Sequence, residues 1–155
     1  MTTRREFLVL ACGAFATAAE AQLDPDQAAR RKAALQEAVL KVTGGAPVRP
    51  GRVKLVLPPL IDNGNAVPLS VTVDSPMTPA DHVRAIHVFT EKNPQPYVLS
   101  AYLGPRAGRA SIATRTRIAD TQSVTAIAEL SDGSFWSDGA SVVVTLSACL
   151  EEGLI

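Results

Sequence analysis

Two cysteines, two histidines and one tryptophan are the side chains of this 155-residue sequence best suited to specialised chemistry. Cys149 comes first, because a thiolate is both a nucleophile and a metal ligand. It has no Cys-x-x-Cys companion, so a paired metal or redox motif is excluded. His82 and His87 are five residues apart. An odd separation along a strand puts two rings on opposite faces, so this pair cannot chelate one metal side by side. His87 shares its predicted face with Val83, Ala85 and Phe89 and reads as a histidine at the edge of a core. His82 follows Asp81 in a turn and reads as a local hydrogen-bonding residue. Arg115 and Arg117 share a predicted strand face, suited to an anion or simply to solvent. Phe135 and Trp136 follow a Ser-Asp-Gly-Ser turn and are expected to anchor the core. No Gly-rich phosphate loop follows a strand, and no Gly-x-Ser-x-Gly elbow is present. The sequence therefore assigns no catalytic residue, no metal ligand and no cofactor.

The elements that must position these residues fall into two kinds. Asp24-Pro25-Asp26-Gln27 is a helix start, with Asp24 as the cap and Pro25 in the first turn. Leu35, Val39 and Val42 recur on one face, and Gly44-Gly45 closes a helix expected over 22–45. Arg30, Arg31, Glu37 and Lys41 form the opposite, solvated face. From Arg52 the period changes to two: Val53, Leu55 and Leu57 alternate, then Leu69, Val71 and Val73. Further strands are predicted at Val83–Phe89, Tyr97–Leu103, Arg109–Ile118, Gln122–Ser131 and Ala140–Ser147. The turn dipeptides between them are Asn63-Gly64, Asn93-Pro94, Gly104-Pro105, Asp132-Gly133 and Asp138-Gly139. This pattern predicts an all-β fold, an immunoglobulin-like β-sandwich of about seven strands over 50–147, preceded by the N-terminal helix. Residues 148–155 form a tail that carries the cysteine.

Composition narrows the partners. Fifteen Lys and Arg against fifteen Asp and Glu give no net charge, so the basic surface needed to track phosphates is missing and nucleic acid is not an expected partner. With 46% apolar residues the chain has the means to bury a core. Residues 1–21, MTTRREFLVLACGAFATAAEA, read as a twin-arginine signal peptide. Arg4 and Arg5 precede an apolar stretch, and Ala19-Glu20-Ala21 supplies the small-x-small cleavage pattern. The expected location is the periplasm, by the twin-arginine export route, with no membrane attachment after cleavage. Cleavage would also remove Cys12 and leave Cys149 as a single thiol in a compartment where paired cysteines oxidise. A lone thiol there is inert and buried, bridged to another chain, or present for its reactivity. Val142, Val144, Leu146 and Ala148 form the apolar face of the last predicted strand, so Cys149 falls on the polar face, where a thiol is exposed.

Several blocks together resemble the SoxY family, the sulfur-carrier subunit of periplasmic thiosulfate oxidation. They are Asp62-Asn63-Gly64-Asn65-Ala66-Val67-Pro68, Val73-Asp74-Ser75-Pro76-Met77 and Asp81-His82-Val83-Arg84-Ala85-Ile86-His87-Val88-Phe89. Lys92-Asn93-Pro94-Gln95-Pro96, Thr114-Arg115-Thr116-Arg117-Ile118-Ala119 and Ala128-Glu129-Leu130-Ser131-Asp132-Gly133-Ser134-Phe135-Trp136 continue the likeness. The resemblance implies a carrier rather than an enzyme, with Cys149 as the point of covalent sulfur attachment. It implies a heterodimer with SoxZ, a smaller β-sandwich subunit. It also implies visits from a haem-containing sulfur-coupling enzyme, a manganese-dependent sulfate-releasing hydrolase and a sulfane dehydrogenase. In the family the cysteine sits within Gly-Gly-Cys-Gly-Gly, a slim and flexible arm that enters narrow active sites.

This sequence departs from that pattern at the cysteine, where Ser147-Ala148-Cys149-Leu150-Glu151-Glu152-Gly153-Leu154-Ile155 replaces the glycine-flanked ending. Leu150 adds bulk. A carboxylate about 4 Å from a thiolate opposes its formation by roughly 1 kcal/mol in water. The departure gives a second reading, a structural or interaction subunit of the same fold that has lost sulfur carriage. A third, a small thiol enzyme, would need a base or cation beside Cys149, where the sequence places Glu151 and Glu152.

Overall fold

The helix and the strands follow the two periodicities of the sequence. The computed structural model describes residues 25–145. Helix α1 (Pro25–Thr43) ends where Gly44 and Gly45 take positive φ values of 61° and 85°. There the Gly44 amide donates to the Leu40 carbonyl at 2.8 Å. Glu37 and Lys41 pair at 2.8 Å on its solvated side. Leu35, Ala38, Val39 and Val42 pack on Phe89, Ile127 and Phe135.

Nine strands follow among the described residues: β1 (Val48–Pro50), β2 (Val53–Val56), β3 (Leu60–Ile61), β4 (Val67–Val73), β5 (Val83–Thr90), β6 (Tyr97–Tyr102), β7 (Ser111–Thr116), β8 (Gln122–Leu130) and β9 (Phe135–Val144). They form a larger sheet in the order β1-β9-β8-β5-β6, with β3 also on β9, and a smaller sheet in the order β2-β4-β7. The core between the sheets is built from Val67, Leu69, Val71 and Val73 on one side and Ile86, Val88, Val124, Ala126, Ala128 and Val142 on the other. The alternating apolar residues of β4 are all buried there, as their period of two requires. The helix covers the outer face of the larger sheet, so β5 and β8 are buried on both sides.

The structure corrects four expectations. There are nine strands rather than about seven, because β1 and β3 are three- and two-residue pieces that pair in parallel with β9. Asp138-Gly139 is not a turn but part of β9, whose ten residues begin at Phe135. Its pairing with β8 runs unbroken from Gln122–Val142 to Glu129–Phe135. Val83 does not share a face with His87 and Phe89: a register shift between Val83 and Ala85 turns it into the core between the sheets. Phe135 is buried as expected, but beneath the helix, not between the sheets.

Candidate functional site

Cys149, Arg4 and Arg5 lie outside the described residues. What is described is the anchor from which the cysteine-bearing tail follows. The Val143 amide donates to the Pro59 carbonyl and the Thr145 amide to the Ile61 carbonyl, each at 2.9 Å. On the other side the Val144 amide donates to Thr121 Oγ1 at 3.1 Å. Val142 and Val144 are buried while Ser141, Val143 and Thr145 are exposed, the alternation expected of this strand. The chain is thus held firmly to Thr145, four residues before Cys149. A fully extended chain spans at most about 14 Å over four residues.

The two histidines occupy separate places. His82 Nδ1 is 3.1 Å from the Thr78 carbonyl oxygen, in the turn before β5. His87 is buried on the helix-bearing face of the larger sheet, where its Nδ1 shares a hydrogen bond with Ser100 Oγ. The Ser100 hydroxyl in turn bonds the Tyr97 hydroxyl. Tyr97 and Tyr102 flank the imidazole, with ring centroids 6.4 and 6.3 Å from it. Burial holds the His87 imidazole below its ordinary pKa, and the nearby Glu129 carboxylate opposes that only in part. A serine hydroxyl on a histidine is a nucleophile–base pair. Here the third, orienting group is missing, because His87 Nε2 is buried with no hydrogen-bond partner and no carboxylate orients the ring. No local sequence pattern signals this cluster, since Tyr97 and Ser100 meet His87 only through the β5–β6 pairing.

The remaining sequence candidates lie on other elements. Trp136 is half-buried, with the Arg49 and Arg52 guanidinium carbons 5.8 and 5.9 Å from its ring centroid. Its indole nitrogen donates to Ser134 Oγ at 3.0 Å. Arg115 is exposed on β7 opposite Pro68, whereas Arg117 lies beyond the end of the strand. The Arg117 carbonyl receives the Asn93 side-chain amide at 2.8 Å. Asn93 Oδ1 accepts from the Ala119 amide at 2.9 Å and from Gln122 Nε2 at 2.8 Å, and Gln122 Oε1 accepts from the Lys92 amide at 2.6 Å. Asn93 thus ties the β5–β6 loop to the approach to β8. Among the described residues no three His, Cys, Asp or Glu side chains come together as a metal site. No described helix is long and apolar enough to cross a membrane.

Comparison with known proteins adds three findings. Residues 39–149 match the family described as sulfur oxidation protein SoxY. No curated protein matches the chain. Among solved structures it is similar to the sulfur carrier protein SoxY from Chlorobium limicola f thiosulfatophilum, with a TM-score of 0.63 and 24% identity over 74% of this chain and 98% of that one. It is also similar to a superoxide reductase (neelaredoxin) from Ignicoccus hospitalis, with a TM-score of 0.55 and 14% identity over 61% of this chain and 80% of that one. A superoxide reductase from Nanoarchaeum equitans aligns with a TM-score of 0.52 and 9% identity, over 62% of this chain and all of the other. At these identities the structural likeness speaks for a shared sandwich fold alone.

Proposed function

We propose, from the premise that the chain belongs to the SoxY family of sulfur oxidation proteins, that it is a sulfur carrier which holds its cargo covalently on Cys149. The observation that carries this reading is the extent of the family match, which spans β1 to β9 and runs on through Cys149 itself. The family's chemistry assigns the steps to other proteins. A haem enzyme takes two electrons as the cysteine thiolate bonds the outer sulfur of thiosulfate, forming Cys–S–S–SO3−. A manganese-dependent hydrolase then adds water, releasing sulfate and two protons and leaving Cys–S–S−. A sulfane dehydrogenase oxidises the sulfur that remains. The chain contributes a tethered thiol and a rigid sandwich, with no catalytic residue and no cofactor of its own. It works in the periplasm as a heterodimer with a SoxZ-like β-sandwich subunit, after export by the Arg4-Arg5 signal.

Mass spectrometry of the Cys149 peptide, from protein isolated out of thiosulfate-grown cells, tests the reading. A thiosulfonate or persulfide adduct is the expected result, and an unmodified thiol throughout would count against carriage. Leu150-Glu151-Glu152 in place of glycines favours the second reading, an interaction subunit without cargo. In reconstituted thiosulfate oxidation, Cys149→Ser abolishes electron transfer if the protein is a carrier and leaves it unchanged if it is not.

A further inference from the structure

Two guanidiniums at one end of the smaller sheet are not used by the fold. Arg115 and Arg117 are both exposed, and neither side chain has an ion pair or hydrogen bond among the described residues. Arg115 lies opposite Pro68 at the start of β4, and the Ile118 amide donates to the Gly64 carbonyl at 2.8 Å. The turn between β3 and β4 that holds Gly64 also receives the tail anchor. There Thr145 Oγ1 donates to the Asp62 carbonyl at 3.4 Å. Arg115, Arg117 and Thr145 therefore share one end of the sandwich. Cys149 follows Thr145 by four residues, so its Cα is tethered within about 14 Å of that anchor.

Beside Arg115 runs a groove of about 660 Å³, lined also by Leu57, Pro58, Pro68, Leu69 and Ala113. Pro58 precedes Pro59, whose carbonyl accepts from the Val143 amide, so the groove adjoins the anchor. Its walls are mostly apolar, and its one charged lining residue is a cation.

We propose that this groove and its guanidiniums receive the cargo carried on Cys149. The sulfonate of Cys–S–S–SO3− pairs with Arg115 and Arg117, and the sulfur atoms between lie against the apolar walls. A guanidinium fork matches two oxygens of an oxyanion at once. Bonded sulfur without charge is soft and polarisable, suited to an apolar surface. The inference rests on the carrier reading for its cargo. It also accounts for an anionic adduct beside an acidic pair. Glu151 and Glu152 oppose that adduct, and two fixed positive charges offset the opposition. Asp62, Glu91 and Asp120 are the described carboxylates at this end, and Asp120 is already paired with Lys92 at 3.7 Å.

Tetrathionate loads the thiol without a partner enzyme and provides the test. The Cys149 thiolate attacks one of its two central sulfurs, forms Cys–S–S–SO3− and expels thiosulfate, tetrathionate itself being the oxidant. In the Cys12→Ser chain Cys149 is the only thiol. The tetrathionate rate is divided by that of iodoacetamide, a neutral reagent that reads exposure and ionisation alone. Arg115→Gln with Arg117→Gln should lower this ratio about tenfold at low ionic strength. Lys54→Gln with Arg109→Gln removes the same charge from the opposite end of the smaller sheet and should leave the ratio unchanged. An unchanged ratio in the first variant, an equal fall in both, or a thiol inert to both reagents overturns the proposal. In the parent chain, loading should shift the Nε–Hε resonances of Arg115 and Arg117, and reduction should return them. Resonances that stay in place overturn the proposal whether or not the variants fold. Absence of the adduct from cells would instead count against carriage, which chemical loading does not presuppose.

Discussion

His87 and Ser100 stand directly opposite one another on β5 and β6, joined through Nδ1 and Oγ, while the far nitrogen of the same imidazole is buried without a partner. An imidazolium at this place would carry a desolvated charge and an N–H with no acceptor. Burial thus depresses the folded-state pKa, with Glu129 acting weakly against it. The unfolded chain then binds a proton more readily than the folded one, so stability rises with pH across the window. The contribution is fully present above about pH 6.5 and is lost as pH falls below that value, with a slope of at most about 1.4 kcal/mol per pH unit for one proton. Urea midpoints at about pH 7.5 and about pH 5.5 check this. The midpoint should drop at the lower pH, and His87→Phe should flatten the difference.

Asn93 closes the end of the sandwich with both ends of one amide. It accepts from Ala119 and Gln122 and donates to the Arg117 carbonyl. Each such bond contributes about 1 kcal/mol, and an orphaned partner that remains buried costs more. Asn93→Ala should lower the unfolding free energy by about 2–4 kcal/mol in denaturant titrations. Asn93→Asp, which keeps the acceptor and loses the donor, should fall between the two.

A single carboxylate bridges the two sheets. The Leu55 amide of β2 donates to Asp138 Oδ2 of β9 at 2.8 Å, although no strand of one sheet is paired with a strand of the other. Asp138→Ala leaves that amide without its acceptor and should cost about 1.5–3 kcal/mol, read as a shift in thermal or urea midpoint. Asp138→Asn retains an acceptor oxygen and should recover most of the loss.

Asp138 also shows where local sequence signals end. Asp-Gly is a strong turn dipeptide, yet the pairing of β9 with β8 and the bond from Leu55 hold it extended. Those partners lie far away in sequence, so no window around Asp138 could contain them. The same holds for β1 and β3, too short to show a period and defined only by parallel pairing with β9. The helix face of Leu35, Val39 and Val42 and the alternation of β4 were legible because each is a local pattern set by one buried face. At His87 the local pattern gave burial alongside Phe89, but the register shift placed Val83 differently and the bond to Ser100 depended on strand pairing. Cys149 became a candidate through its isolation as a thiol and through the family likeness, and its position lies beyond the described residues.

The acidic pair after Cys149 makes the last prediction, which rests on sequence adjacency and charge. Alkylation by iodoacetamide consumes the thiolate, so near neutral pH its rate follows the thiolate fraction. A carboxylate held about 4 Å from the sulfur raises the energy of the anion by roughly 1 kcal/mol, and about 1.4 kcal/mol corresponds to one pKa unit. Replacing Glu151 and Glu152 together by Gln removes both charges while keeping side-chain size. At low ionic strength the double variant should react up to about tenfold faster than the parent. Added salt should shrink the difference, because exposed charges are screened within a Debye length of about 10 Å at 0.1 M. Equal rates at low salt would mean that the carboxylates do not oppose ionisation of the thiol. The departure from the glycine-flanked family pattern would then act on a carrier through the bulk of Leu150 and the loss of glycine flexibility rather than through charge.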